Sequence, residues 1–258
     1  MASPKYTVTV TQVEHYTESY FRLRVERPEG FNFLSGQFIM LGLIVDDRPL
    51  MRAYSIASAN WDEELEFYSI IIQDGALTSR LQHIQVGDQV VLSAKAVGTL
   101  TTRGLSTGGK RLFMLSTGTG FAPFASLIRD EDVYDEYEEV YVTHTCRFVK
   151  DLAYAQARIA EAKECPLVGE EASEKLTYYG SVTREPYEYQ GRITNLIENG
   201  KLFEDLDIPP FNSETDRVMI CGSLEMLHDT QDVIEKCGMF RGTNARPGVY
   251  VWEKAFTG

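Results

Sequence analysis

The sequence predicts two domains, an N-terminal antiparallel β-barrel followed by a C-terminal α/β unit with a parallel sheet. Three observations carry this. Hydrophobic residues alternate with period two through the first hundred residues, the rhythm then switches to short apolar strands separated by helical stretches, and a glycine turn follows the first of those strands.

Residues 6–13 and 20–26 alternate apolar and polar positions, as half-buried strands do. Residues 37–45, 52–57, 65–73 and 89–94 follow as strands, separated by turn residues such as Gly36, Asn60, Gly75 and the Gly87-Asp88 pair. A brief helical stretch spans 77–84. Six short strands with one small helix suit a small antiparallel barrel. Residues 101–110, rich in Thr, Gly and Ser, mark the boundary, so the domains are expected at 1–103 and 110–258.

In the second part, 111–117 is an apolar strand running through a Gly turn into a helix that ends near Arg129. Residues 139–144 form a strand. In 151–163, Leu152, Ala155, Ile159 and Ala162 recur at helical spacing. Residues 176–181 and 217–221 are further strands, each followed by helical sequence, and 249–254 reads as a last strand. Alternating β and α elements imply a doubly wound parallel sheet.

Composition narrows the function. The 258 residues are 43% hydrophobic, enough for packed cores, and carry a net charge of −13. An acidic surface disfavours nucleic acid, whose phosphates need cations. The longest apolar run, 38–45, is far below the roughly 20 residues that span a bilayer, and the first residues lack the apolar core of a signal peptide. A cytoplasmic, membrane-free location follows. Cys146, Cys165, Cys221 and Cys237 form no C-x-x-C pair, and His15, His83, His144 and His228 are scattered, so no metal site is expected.

Four motifs carry chemistry. Residues 115–123 (LSTGTGFAP) run a strand through Gly118 and Gly120 into a helix, a turn whose backbone N–H groups suit a pyrophosphate. Pro123 stands where the dinucleotide fingerprint has its third glycine. The next strand leads to Arg147, where an NAD-binding domain would carry an acid for the ribose 2′-hydroxyl. Further arginines follow in Thr183-Arg184 and Gly191-Arg192. Guanidinium groups bind phosphate bidentately, so the three form a candidate 2′-phosphate pocket; as residues alone they read equally well as solvated loop arginines. Cys221-Gly222 ends a strand, with Ser223 as N-cap of the next helix. In the barrel half, Arg52-Ala-Tyr-Ser55 offers a cation, an aromatic face and a hydroxyl, and Gly75-Ala-Leu-Thr-Ser-Arg-Leu81 opens a helix with Thr78 and Ser79.

The ordered set R-x-Y-S, G-x-L-T-x-x-L, G-T-G-x-A-P and C-G resembles the ferredoxin–NADP reductase superfamily, and specifically its bacterial ferredoxin/flavodoxin–NADP reductases, over essentially the whole chain. The ending 255–258 resembles the subclass whose C-terminal extension folds over the flavin. The resemblance implies an FAD-binding barrel domain, an NADP(H)-binding α/β domain, and hydride transfer between nicotinamide C4 and flavin N5, with single electrons exchanged with ferredoxin or flavodoxin. It implies that Arg52, Ala53, Tyr54 and Ser55 hold FAD, with Tyr54 stacked on the isoalloxazine and Ser55 near N5. Thr78 would meet the FAD phosphates. Arg147, Arg184 with its neighbour Thr183, and Arg192 would hold the 2′-phosphate. Thr119 and Cys221 would border the nicotinamide. Ala255 would cover the flavin face, and Phe256 would lie by the adenine. Ser55, Cys221 and Ala255 are thus the catalytic candidates. Plant-type relatives end in a catalytic acid and a tyrosine; this terminus departs from that, and those roles are not carried over. A monomer is expected. The rival readings are a free-flavin or oxygenase-component reductase and, in another class, a non-catalytic redox-sensing subunit.

Overall fold

The computed structural model describes residues 6–243 and 245–255. Its N-terminal part holds β1 (Tyr6–His15), β2 (Tyr20–Glu26), β3 (Phe38–Val45), β4 (Arg48–Ser55), β5 (Glu64–Ile70), the short helix α1 (Thr78–Leu81) and β6 (Gln89–Leu92). These strands form one six-stranded antiparallel sheet in the order β4-β3-β6-β1-β2-β5. Among the described residues no ladder joins the edge strands β4 and β5. They meet just beyond Ser55, where the Ala57 N–H donates to the Glu66 carbonyl at 2.8 Å, and through the Tyr54 and Ser69 hydroxyls, 3.1 Å apart.

The fourth strand begins at Arg48, earlier than the alternation suggests. Asp46 and Asp47 both take left-handed backbone angles, φ 48° and 59°, and turn β3 directly into β4. Such two-residue turns match the twist of a hairpin, and aspartate tolerates the conformation better than most residues. The expected helix over 77–84 contracts to the single turn of α1.

The C-terminal part alternates β7 (Arg111–Thr117), α2 (Ala122–Leu127), α3 (Glu131–Glu136), β8 (Glu139–Cys146), α4 (Ala153–Lys163), α5 (Gly169–Lys175), β9 (Leu176–Val182), α6 (Ile193–Glu198), α7 (Lys201–Leu206), β10 (Asp216–Gly222), α8 (Leu224–Glu235) and β11 (Tyr250–Lys254). The sheet is parallel throughout, in the order β11-β10-β7-β8-β9. Ser223 caps α8 as expected, its hydroxyl accepting the Met226 N–H at 3.2 Å.

The two parts meet along β2 and β5. Alternation sends Phe21, Leu23, Val25, Leu65 and Phe67 into the N-terminal core. It sends Tyr20, Arg22, Arg24, Glu66 and Tyr68 to the opposite face, where α4 meets Glu66 and Tyr68. The Tyr68 and Tyr154 rings stack at 3.9 Å and 7°, and Tyr20 stacks on Tyr68 at 5.6 Å. Beside the stack, the buried Glu66 carboxylate accepts from Tyr154 Oη at 2.8 Å, Arg24 Nε at 2.7 Å and Arg158 Nη1 at 3.2 Å, with Arg22 Nη1 at 3.5 Å. A second contact lies at the far end. Arg129 pairs bidentately with Asp62 at 2.7 and 2.9 Å and stacks under Trp61 at 4.5 Å.

Burial alone would push the Glu66 carboxyl pKa up, but the surrounding arginines outweigh it and hold it below its ordinary value. Its contribution to stability is therefore complete above the ordinary carboxyl range and is lost as pH falls through the depressed pKa. Removing the charge strands guanidinium groups in a dry interface, which typically costs about 3–5 kcal/mol. Glu66→Gln is expected to lose that much in urea unfolding at pH 7; a loss below about 1 kcal/mol, the range of a surface pair, would show that the interface does not depend on it.

Candidate functional site

Two clefts open at the junction of the parts. The first, about 630 Å³, is lined by Arg52, Ala53, Tyr54 and Ser55 from β4, by Tyr68 to Ile70 from β5, by Gly75 to Leu77 ahead of α1 and by Thr78 at its start. The Tyr54 side chain is buried, its hydroxyl anchored by Ser69. Thr78 closes the loop beneath the cleft: its hydroxyl donates to the Ile72 carbonyl at 3.2 Å and lies 3.3 Å from the Ile72 N–H. A Cβ on Gly75 would stand 2.4 Å from that hydroxyl, so only glycine lets the loop fold this tightly. A cation, an aromatic ring and two hydroxyls along one slot fit a flavin dinucleotide, which presents a ring, a polyol and two phosphates.

The second cleft, about 1180 Å³, runs over the carboxyl ends of the parallel strands. Its floor is the Gly118-Thr119-Gly120 turn after β7. Gly118 adopts φ 52°, and a Cβ on Gly120 would lie 2.1 Å from the Cys221 carbonyl. The turn is also held from below. His144 Nε2 is 2.9 Å from the Gly118 carbonyl, and burial pushes the ring pKa down to about 4, so a neutral imidazole donates here. Arg147, Thr183 and Arg192 stand on the wall. Two cations over a glycine turn at a strand end suit a phosphorylated dinucleotide.

Ile70, Thr119 and Ala255 line both clefts, so the slots share one seam. Ala255 is held there by its N–H, which donates to the Gly222 carbonyl at 3.0 Å.

Comparison with known proteins agrees with this geometry. Residues 7–100 match the oxidoreductase FAD-binding domain family and residues 114–232 the oxidoreductase NAD-binding domain family. The chain is 52% identical to the flavodoxin/ferredoxin–NADP reductase of Rhodobacter capsulatus, over 97% of this chain and 93% of that one. The chain belongs to the bacterial ferredoxin/flavodoxin–NADP reductases. It is 48% identical to the ferredoxin–NADP reductase of Pseudomonas aeruginosa, over 97% of each chain. A ferredoxin NADP+ reductase from Neisseria gonorrhoeae, solved with bound FAD and NADP, superposes with a TM-score of 0.87 at 29% identity, covering 97% of this chain and 98% of that one.

Within this reductase the expected residues divide. Arg52, Ala53, Tyr54, Ser55, Thr78, Thr119, Arg147, Thr183, Arg192 and Ala255 all line one cleft or both. Arg184 is exposed beside the second cleft without lining it, its N–H donating to the Arg147 carbonyl at 3.0 Å. Cys221 is buried behind the Gly120 turn and lines neither cleft, and burial, with Glu253 nearby, pushes its thiol pKa well up. Phe256 lies outside the described residues.

Glu253 is among the residues that escaped the sequence reading. Glu253 pairs in register with Cys221, two positions before Ala255, and its carboxylate accepts the Thr99 N–H at 3.3 Å. Burial raises its pKa to about 7, against the opposing pull of the Thr99 and Leu100 N–H groups. The available signal was an acid inside a final strand that is otherwise rich in apolar and aromatic residues. Below about pH 4.3 the carboxyl is neutral in both folded and unfolded chains. Between there and pH 7 only the unfolded chain ionises readily, so stability falls as pH rises. The full penalty, on the order of 3 kcal/mol, is present above pH 7. Glu253→Gln should therefore melt increasingly above the parent protein as pH is raised from 5 to 8; a constant difference across that range would show that the buried carboxylate ionises without penalty.

Proposed function

We propose that hydride passes between nicotinamide and flavin at the seam of Ile70, Thr119 and Ala255, the observation that carries the reading. The chain is an FAD-dependent oxidoreductase that moves hydride between NADP(H) and FAD and exchanges electrons with ferredoxin or flavodoxin. The protein's part is to orient two rings and exclude water between them. Tyr54 presents its ring in the first cleft, Ser55 its hydroxyl toward the reacting end, and Arg52 and Thr78 hold the flavin phosphates. Arg147 and Arg192 grip the 2′-phosphate, with Thr183 between them and Arg184 approaching from the rim. Ala255, small and tied down, covers the flavin without blocking the nicotinamide. Cys221 acts from behind: its backbone carbonyl sits where only Gly120 can pass, which sets the height of the turn that carries Thr119. The six-stranded sheet serves as a barrel whose β4 and β5 edges close over the flavin, and 1–103 and 110–258 are the two units. No helix among the described residues is long and apolar enough to cross a membrane; we take the enzyme as a cytoplasmic monomer.

A hydrogen bond to a charged group is worth about 1.5–3 kcal/mol, roughly ten- to a hundredfold in affinity. Arg147→Ala should weaken NADPH by that factor in stopped-flow flavin reduction while leaving NADH nearly unchanged; equal losses would remove Arg147 from the 2′-phosphate site.

The carrier must find cations on an acidic protein. Arg48, Lys95 and Arg103 of the N-terminal part are exposed, and none forms an ion pair among the described residues. Exposed charges are screened beyond roughly 8–10 Å near physiological ionic strength. Added salt should slow electron transfer to ferredoxin or flavodoxin more than reduction of ferricyanide, and matching salt profiles would exclude docking by these charges.

A further inference from the structure

The second cleft contains acids as well as arginines. Glu225 lies in the first turn of α8 and Asp229 one turn later, and both line the cleft beside Arg147 and Arg192. A ligand with a pyrophosphate and a 2′-phosphate is repelled by both. An acid in the first turn of a helix gains a little from the positive end of the helix dipole. That explains Glu225 as a helix residue but not where its side chain goes. Glu225 Oε1 lies 3.5 Å from Arg192 Nη1.

The two arginines are held differently. Arg192 immediately precedes α6, after Gly191 at φ 145°, so its backbone is fixed while its guanidinium reaches across the cleft to α8. Arg147, just after β8, forms no ion pair among the described residues. A 2′-phosphate gripped by Arg192 must therefore take that guanidinium from Glu225 or share it, whereas Arg147 is taken from no carboxylate.

We propose that Glu225 is a specificity-determining residue that competes with the 2′-phosphate for Arg192 and so holds NADP(H) affinity below what the arginines alone would give. The proposal rests on the reading that Arg192 meets the 2′-phosphate. The pair is largely exposed, 66% for Arg192 and 74% for Glu225. Such pairs are worth about 0.2–1 kcal/mol, so the effect is at most about fivefold. A nucleotide without the 2′-phosphate does not contest Arg192 and gains little from loss of the acid. The result is a weaker grip on the oxidised and reduced nucleotide alike, which shortens the stay of product in the cleft.

The test is calorimetric titration of the FAD-loaded enzyme with 2′,5′-ADP and with 5′-ADP, two probes that differ only in the 2′-phosphate. The proteins are the parent, Glu225→Gln, Arg192→Ala and the double variant. Glu225→Gln is expected to bind 2′,5′-ADP about two- to fivefold more tightly, to change less toward 5′-ADP, and to give no such selective gain when Arg192 is already alanine. Equal tightening toward both probes, or a selective gain that survives in the double variant, would show that Glu225 acts by general repulsion and would overturn the competition. If Arg192→Ala lowers the preference for 2′,5′-ADP but Glu225→Gln changes nothing, the competition fails while the 2′-phosphate assignment stands. If Arg192→Ala leaves the preference intact, the assignment itself fails, and the competition with it.

Discussion

The carboxylate of Glu66 joins the two halves of this protein, and the geometry of the clefts depends on that junction. It comes from the N-terminal sheet and is met by Arg22 and Arg24 of the same sheet and by Tyr154 and Arg158 of α4. A buried ion pair is not by itself a stabilising device, because desolvation can cancel the attraction. Its value here is directional. Guanidinium and carboxylate groups satisfy one another only over a narrow range of distances and angles, so the pairing fixes how α4 lies on β5. The Tyr68–Tyr154 stack supplies the apolar area alongside it. Because β5 borders the first cleft and the turn after β7 floors the second, a shift at Glu66 would misalign the seam that the two clefts share.

This junction also shows where sequence reading ends. Period-two alternation identified 20–26 as a strand, and 65–73 read as another. Alternation cannot distinguish a face turned to water from one turned to another domain, since both are polar and both skip every second residue. The alternation of strands and helices in the C-terminal part and the glycine turn were legible because local chemistry determines them. The start of β4 was not, because two aspartates carry a turn more often made with glycine. The arginines were found by their placement after successive strands, yet only Arg147 and Arg192 line the cleft. Sequence spacing puts a residue at a strand end but does not aim its side chain. Glu253 and Glu225 were missed for a related reason. Each reads as an ordinary acid on a strand or a helix, and only the fold brings one beside Cys221 and the other beside Arg192.

The distribution of charge resolves an apparent conflict between an acidic chain and anionic ligands. Of the arginines, several are consumed in the interior: Arg22, Arg24 and Arg158 on Glu66, Arg111 on Asp216 at 2.6 Å, and Arg129 on Asp62. Net charge therefore says little about what the clefts present. Arg52 stands in one and Arg147 and Arg192 in the other, positioned by strand ends and turns; Glu225 and Asp229 share the second cleft with them, and the other acids lie outside both clefts.

Tyr68 borders the first cleft and also stacks on Tyr154 of α4. With a flavin in that cleft, a ring shared in this way would link cofactor retention to docking of the two parts. Whatever tightens one must tighten the other by the same free energy. On the proposed flavin site, binding of the coenzyme and docking of the two parts would favour one another, and loss of the coenzyme would leave the parts more weakly joined and more open to protease.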